Sequence, residues 1–170
     1  MKILTLPNIL SLSRIPLVIL FILAFPDIYL ALIIFLIYGL TDVLDGYFAR
    51  KYKQHKNIGI FIDVLADRIS AITVVLFLFF YYELELWKFI LLGFKDFILV
   101  LFGLPLIFKN GYLNLNKPKF FGKKATFFQF ITIILIIIQN SLQNLFIFIT
   151  FIFGFIALVG YGMERSWKLF

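Results

Sequence analysis

The sequence predicts an all-α integral membrane protein, a bundle of six transmembrane helices that forms a single domain over residues 1–170. Of these residues 63% are hydrophobic and 20% aromatic, a composition that ordinary soluble domains do not have. Six apolar stretches are long enough, or nearly so, to cross a hydrocarbon core about 30 Å thick. They run from Ile9 to Phe25, Ile28 to Phe48, Ile58 to Tyr81, Trp87 to Phe108, Phe121 to Gln139 and Leu142 to Gly162.

The connectors between these stretches predict the orientation of the bundle. Lysine and arginine are concentrated after the second and fourth stretches and in the C-terminal tail, whereas the other connectors are acidic or uncharged. By the positive-inside rule, both termini and the loop after the second stretch lie in the cytoplasm. The apolar run that follows Lys2 is interpreted as a retained first span. Arg14 interrupts this run, and no small-residue cleavage site follows it.

The charge balance and the cysteine count exclude several other classes of protein. The chain has 16 Lys and Arg against 9 Asp and Glu, a net charge of +7. Basic loops beside membrane spans orient the protein and contact anionic lipid, so this excess does not indicate a nucleic-acid partner. Cysteine is absent, which excludes a disulfide framework, a thiolate nucleophile and a Cys-ligated metal.

Acidic residues are concentrated in one short segment, DVLDGYFARKYKQHKNIGIFIDVLAD, which holds four of the nine. Asp42 and Asp45 are three residues apart, and Asp63 and Asp67 are four apart. If both flanks are helical, each pair lies on one helix face. The polar residues 51–57 supply a turn between the flanks, so the two helices are predicted to be antiparallel neighbours whose carboxylates converge.

Four carboxylates held together in an apolar bundle require positive charge. Each charged side chain near a bilayer centre costs about 2.5–3.5 kcal/mol, and the like charges also repel one another. Hard divalent cations with oxygen ligands meet this requirement, and a phosphate-bearing substrate commonly completes the shell of Mg2+. Two such ions about 4 Å apart could activate an attacking oxygen and stabilise a leaving phosphate.

This segment resembles, without a gap, the signature of the CDP-alcohol phosphotransferases, the membrane enzymes that make phospholipid head groups. Its eight fixed positions are occupied by Asp42, Asp45, Gly46, Ala49, Arg50, Gly59, Asp63 and Asp67. Two further segments are similar to the family, Thr5-Leu6-Pro7-Asn8 with Arg14, and Gly122-Lys123-Lys124-Ala125-Thr126 with Gln129.

The resemblance implies a site that holds two Mg2+ or Mn2+ ions. Asp42, Asp45 and Asp63 would bind one ion. Asp42, Asp63 and Asp67 would bind the other, and Asp67 would also be the catalytic general base. Such a base accepts the proton of the incoming hydroxyl as that hydroxyl attacks phosphorus.

The resemblance also assigns residues to the CDP moiety. Gly46 lets backbone approach the nucleotide where a Cβ would collide, and Arg50 can grip a phosphate in a bidentate manner. Lys123 is a candidate for binding phosphate in the Gly-Lys segment. Further candidates for the nucleotide are Thr5, Pro7, Asn8 and Lys56.

The expected reaction transfers a phosphatidyl-type group from a CDP-linked lipid to a small alcohol and releases CMP, in an enzyme that the resemblance implies is a homodimer. The Gly122 to Gln129 segment is most similar to the phosphatidylglycerophosphate synthase branch and favours glycerol 3-phosphate, a phosphorylated acceptor. Phosphatidylglycerol (as in cardiolipin synthases), inositol phosphate and serine are the alternatives. Val64, Arg68 and the pair Lys95-Asp96 depart from the glycerophosphate branch, so the acceptor stays open.

Several alternatives stand beside this interpretation. The acidic cluster could be purely structural, with its carboxylates satisfied by Arg50, Arg68 and backbone groups. It could instead carry the cargo of a small cation transporter, or belong to a non-enzymatic assembly subunit. The charged pair Lys95-Asp96, inside the fourth stretch, is either a structural ion pair or part of the acceptor site. Arg14 is either a snorkelling residue or part of the active site.

Overall fold

A computed structural model describes residues 9, 12–51, 57–103 and 120–166, and within these ranges the chain forms helices and no strand. The predicted all-α class is therefore confirmed for the described residues. In chain order the elements are α1 (Arg14–Ala24), α2 (Ile28–Lys51), α3 (Asn57–Tyr81), α4 (Leu86–Ile98), a π-helix (Leu99–Gly103), α5 (Phe120–Ile137) and α6 (Gln143–Ser166).

The helix boundaries follow the apolar stretches closely. Helix α2 begins at the predicted residue and continues through the acidic signature to Lys51. Helix α3 begins one residue before the predicted start and ends at the predicted Tyr81. The fourth stretch changes from α-helix to a five-residue π-helix at Leu99. Its apolar sequence does not predict this change. Its predicted end at Phe108 lies outside the described residues.

Short polar turns connect consecutive helices. The side chain of Asp27 caps α2 by accepting hydrogen bonds from the backbone N–H of Tyr29 at 3.0 Å and of Leu30 at 3.2 Å. After α5, Gln139 adopts a φ of 52°, and the N–H of Asn140 bonds to the carbonyl of Leu135 at 2.9 Å. This arrangement is a Schellman-type helix end. The turns fold α1 against α2, α3 against α4, and α5 against α6.

The turn before α4 is held by polar contacts of Glu85. Its carboxylate accepts hydrogen bonds from Lys88 at 2.9 Å and from the Trp87 indole at 2.6 Å. These bonds, first that of Lys88, lower the pKa of the Glu85 carboxyl. The turn is thus fixed although Glu85 itself is largely exposed.

An aromatic core packs α1, α2 and α3 together. Phe21 of α1 contacts Phe35 of α2 and Phe77 of α3, with ring centroids 5.6 and 5.9 Å apart. Phe35 in turn stacks on Phe130 of α5 at 4.7 Å. A Cβ added at Gly39 would lie 2.5 Å from the Phe130 ring, so glycine permits this close approach of α2 and α5. One turn further along α2 is the first acidic residue of the signature.

Large apolar side chains also cover much of the outer surface. Leu23 and Phe80, for example, are each 70% exposed. Among the described residues one helix, over Gln143–Gly160 within α6, is long and apolar enough to cross a membrane. Shorter apolar helices occupy Arg14–Ala24 and Ile28–Leu44.

Candidate active site

The two halves of the acidic signature meet at a single guanidinium group. Arg14, at the start of α1, is fully buried. Its Nη2 lies 3.0 Å from Oδ1 of Asp42 on α2, and its Nη1 forms an ion pair with Oδ1 of Asp67 on α3. Because α1 packs against both α2 and α3, one cation joins carboxylates from two different helices. The structure thus places Arg14 in the site, where snorkelling to the surface does not account for it.

The two carboxylates of the site are partly exposed. The side chain of Asp42 is 49% exposed and that of Asp67 is 31% exposed, whereas that of Arg14 is 0% exposed. The carboxylates therefore form a rim above a buried positive charge. A ligand can approach them without displacing the apolar core.

The backbone brings the remaining signature residues close to this point. Helix α2 runs without interruption through Asp42, Asp45, Gly46 and Arg50, so Asp45 follows Asp42 by about one turn. Helix α3 likewise contains Asp63 about one turn before Asp67. The side chains of Asp45, Asp63 and Arg50 lie outside the described part of the chain.

The other predicted binding residues are only partly placed. Lys123 is exposed near the start of α5. Thr5, Pro7, Asn8 and Lys56 lie outside the described residues. Their predicted contacts with the nucleotide therefore stay predictions.

The chemistry of the described side chains fits a divalent cation. Asp42 and Asp67 supply hard oxygen donors. Because the Arg14 guanidinium lies between them, these two carboxylates already stabilise a positive charge. Within the described part of the chain no group of three or more metal-ligating side chains comes together. Asp42 and Asp67 belong to this described part, whereas the side chains of the other two predicted ligands, Asp45 and Asp63, lie outside it.

A second polar cluster lies beside the site and is almost completely buried. At its centre is Asp96 of α4, which is 1% exposed. Its carboxylate accepts a hydrogen bond from Arg68 of α3 and another from Nε2 of Gln129 on α5 at 2.6 Å. Because Arg68 directly follows Asp67, this cluster fixes the rotation of α3 and with it the position of Asp67.

Lys95 belongs to the same cluster. Its Nζ donates hydrogen bonds to Thr126 at 2.9 Å and to Gln129 at 3.3 Å, and lies 3.6 Å from Asp96. A Cβ added at Gly154 of α6 would come within 3.2 Å of the Lys95 Cβ, so α6 packs closely against α4 at the cluster. These contacts favour the structural interpretation of the Lys95-Asp96 pair over a role in binding the acceptor.

The sequence did not predict which arginine pairs with which cluster of carboxylates. In the structural alternative Arg68 neutralises the signature carboxylates, but its described partner is Asp96. Tyr38, one turn before Asp42, was not identified either, although it lies within electrostatic range of Arg14, Asp42, Arg68 and Asp96. The detectable signal was the presence of ionisable residues inside apolar helices, which usually marks a functional region.

The model of the CDP-alcohol phosphatidyltransferase family matches residues 4–156, which include both polar clusters. The chain belongs to the CDP-alcohol phosphatidyltransferase family. It is therefore a transferase, and the resemblance that the acidic signature indicated is confirmed.

Individual relatives of this phosphatidyltransferase carry two different names. The CDP-diacylglycerol–glycerol-3-phosphate 3-phosphatidyltransferase of Aquifex aeolicus is 36% identical over 79% of this chain and 76% of that protein. The cardiolipin synthase (CMP-forming) of Streptomyces coelicolor is 30% identical over 98% of this chain and 79% of that protein. A CDP-diacylglycerol–glycerol-3-phosphate 3-phosphatidyltransferase of Bacillus subtilis is 28% identical over 81% of this chain and 70% of that protein.

Removing the charge of Asp96 from this phosphatidyltransferase should destabilise the fold strongly. Asp96→Asn keeps the shape of the side chain but leaves the buried Lys95 and the partly buried Arg68 without a counter-charge, and breaking a buried ion pair costs about 3–5 kcal/mol. Thermal unfolding of the purified protein in detergent would measure the loss.

Glu85→Gln is the matched control, since it makes the same carboxylate-to-amide change at a side chain that is 62% exposed. Exposed pairs contribute little to stability, so its midpoint should stay close to that of the unmodified protein. Equal midpoints for the two variants would show that the buried cluster does not stabilise the bundle.

Proposed function

We propose that this chain transfers a phosphatidyl group, or its ether-lipid equivalent, from a CDP-linked lipid to the hydroxyl group of glycerol 3-phosphate and releases CMP. The observation that supports this most is the convergence of Asp42 and Asp67 at an exposed rim, within a chain that carries the complete acidic signature of its family. The proposed step forms a bond from the acceptor oxygen to phosphorus and breaks the bond from that phosphorus to CMP.

Each signature residue has a proposed part in this step. Asp67 takes the proton of the acceptor hydroxyl as the oxygen attacks. Gly46, in the continuous helix α2, allows backbone to approach the cytidine nucleotide. Arg50, one turn further along α2, holds a phosphate of the leaving CMP.

The four aspartates would hold two Mg2+ or Mn2+ ions. Asp42, Asp45 and Asp63 would bind one, and Asp42, Asp63 and Asp67 the other. When bound, such ions neutralise the charge of the pyrophosphate and of the leaving group. Carboxylate oxygens suit both metals.

Glycerol 3-phosphate is favoured as the acceptor by two observations. The relatives from Aquifex aeolicus and Bacillus subtilis are named for this acceptor. Lys123 is exposed at the start of α5, where it is accessible to a phosphate, whereas Lys95 and Arg68 are engaged with Asp96. The Streptomyces coelicolor relative, named as a cardiolipin synthase and aligned over 98% of this chain, supports phosphatidylglycerol as the alternative acceptor.

The acceptor is tested by measuring CMP release from CDP-diacylglycerol with the purified protein and Mg2+. The panel contains glycerol 3-phosphate, phosphatidylglycerol, inositol phosphate, inositol and serine. We expect release with glycerol 3-phosphate, and a loss of about 100-fold or more in Asp67→Asn, because a positioned general base contributes about that much.

Release with phosphatidylglycerol alone would assign the chain to the cardiolipin-forming reaction. Undiminished release by Asp67→Asn would contradict the role of Asp67 as the base. Failure with every acceptor would contradict CDP-diacylglycerol as the donor.

We also propose that the chain crosses the membrane six times, with both termini and the acidic site on the cytoplasmic side. The exposed apolar side chains, the candidate span in α6 and the basic loops support this topology. The chain lacks cysteine, so single cysteines can be introduced and labelled with a membrane-impermeant maleimide.

In intact cells Ser141→Cys, in the turn before α6, should react. Lys123→Cys, at the start of α5, should react only after the membrane is permeabilised. The reverse pattern would contradict the orientation.

The proposed homodimer rests on the family resemblance and would be checked by native mass spectrometry from lipid nanodiscs, where a mass of one chain would contradict it.

A further inference from the structure

Arg14 is the buried charge around which the exposed rim of the site is built. Its side chain is 0% exposed, less than either of its carboxylate partners. A guanidinium group is expensive to bury unless it is paired and hydrogen-bonded. Both described partners, Asp42 and Asp67, belong to the acidic signature, so the pairing is specific to the site.

The two partners are contacted through different nitrogens of one guanidinium group. Nη2 lies beside Oδ1 of Asp42 and Nη1 beside Oδ1 of Asp67. A divalent cation shared by these two residues would also bind carboxylate oxygens, at about 2.0–2.6 Å. Two positive centres cannot both hold the same oxygens at full strength, because each lowers the negative potential that attracts the other.

We propose that Arg14 is a built-in counter-cation that competes with divalent metal for Asp42 and Asp67 and thereby sets the metal affinity of the site. The proposal rests on the metal site of the proposed function. Arg14 acts through the two aspartates and is therefore a positioning residue. Its competition keeps metal binding weaker than the carboxylates alone would give, and its charge keeps α2 and α3 together by offsetting their repulsion.

The location of Arg14 on α1 adds a structural consequence. Helix α1 packs against both α2 and α3, and Phe21, about two turns after Arg14, anchors it in the aromatic core. A metal ion that takes over one carboxylate therefore changes how firmly the start of α1 is held. Lysine cannot reproduce this arrangement, since its single ammonium lacks the fork that reaches two carboxylates.

The test measures Mn2+ binding to the purified full-length protein by electron paramagnetic resonance, without substrate. In Arg14→Gln the concentration of Mn2+ at half-saturation should fall about tenfold, because a competing unit charge in direct contact is removed. Arg14→Lys should fall between the two. Lys88→Gln is the matched control, since Lys88 is also a largely buried cation that pairs with a carboxylate, but its partner is Glu85 in the turn before α4. Its midpoint should stay within about twofold.

Thermal unfolding supplies the second readout. With EDTA, Arg14→Gln should unfold at a lower temperature than the unmodified protein, and Mn2+ should raise its midpoint by more than it raises that of the unmodified protein. A residue with only a structural role would lower stability without changing the midpoint for Mn2+.

Each outcome decides the proposal. An unchanged or higher Mn2+ midpoint in Arg14→Gln would overturn it, and so would the absence of Mn2+ binding in the unmodified protein. If Arg14→Gln does not fold even with Mn2+, Arg14→Lys decides: a midpoint below that of the unmodified protein supports competition, and one at or above it overturns competition. If the protein releases no CMP with any acceptor but the Arg14 variants still bind Mn2+ more tightly, the proposed transfer fails and the competition stands.

Discussion

The placement of two arginines in an apolar bundle, Arg14 fully buried and Arg68 partly buried, determines how the rest of the site is built. Carboxylates in such surroundings must have positive partners, and here each arginine neutralises a different group. Arg14 joins Asp42 and Asp67 at the exposed rim, while Arg68 joins Asp96 in the interior. Asp67 and Arg68 are consecutive residues of α3, which point about 100° apart around the helix. One helix can therefore serve both the site and its support.

This division separates the residues of the proposed reaction from those that support the fold. The interior cluster links α3 to α4 and α5 through Asp96 and Gln129, and α6 closes over Lys95 at Gly154. Asp96 and Lys95 are both hydrogen-bonded to side chains of neighbouring helices, which suits a rigid support. At the rim Asp42 and Asp67 are partly exposed, as their proposed contacts with metal, donor and acceptor require.

The local features of the fold could be predicted from sequence because they depend on near neighbours. The apolar stretches and the polar residues between them predicted α2 and α3 to within a few residues, and helical spacing placed the aspartates on common faces. The acidic segment also carried the resemblance to the family, which the family match confirms. The tertiary pairings could not be predicted in this way. Arg14 is distant in sequence from both of its described partners, and nothing near Arg68 indicates that it pairs with Asp96 rather than with the adjacent signature.

Lys95-Asp96 illustrates the same limit. Its sequence position was compatible with either acceptor binding or a structural pair, and only the contacts with Thr126 and Gln129 distinguish the two. The π-helix that follows α4 could likewise not be predicted from the sequence, since its residues are common in apolar α-helices. Long-range packing, which local patterns do not encode, decides these features.

Anomalous X-ray scattering from crystals of the full-length protein grown with Mn2+ would locate the cation directly. The proposed site predicts a peak between α2 and α3, about 2.0–2.6 Å from carboxylate oxygens of both Asp42 and Asp67. Mn2+ bound elsewhere, for example at Glu83 and Glu85, with no peak beside these two aspartates, would contradict the assignment of the acidic signature as the metal site.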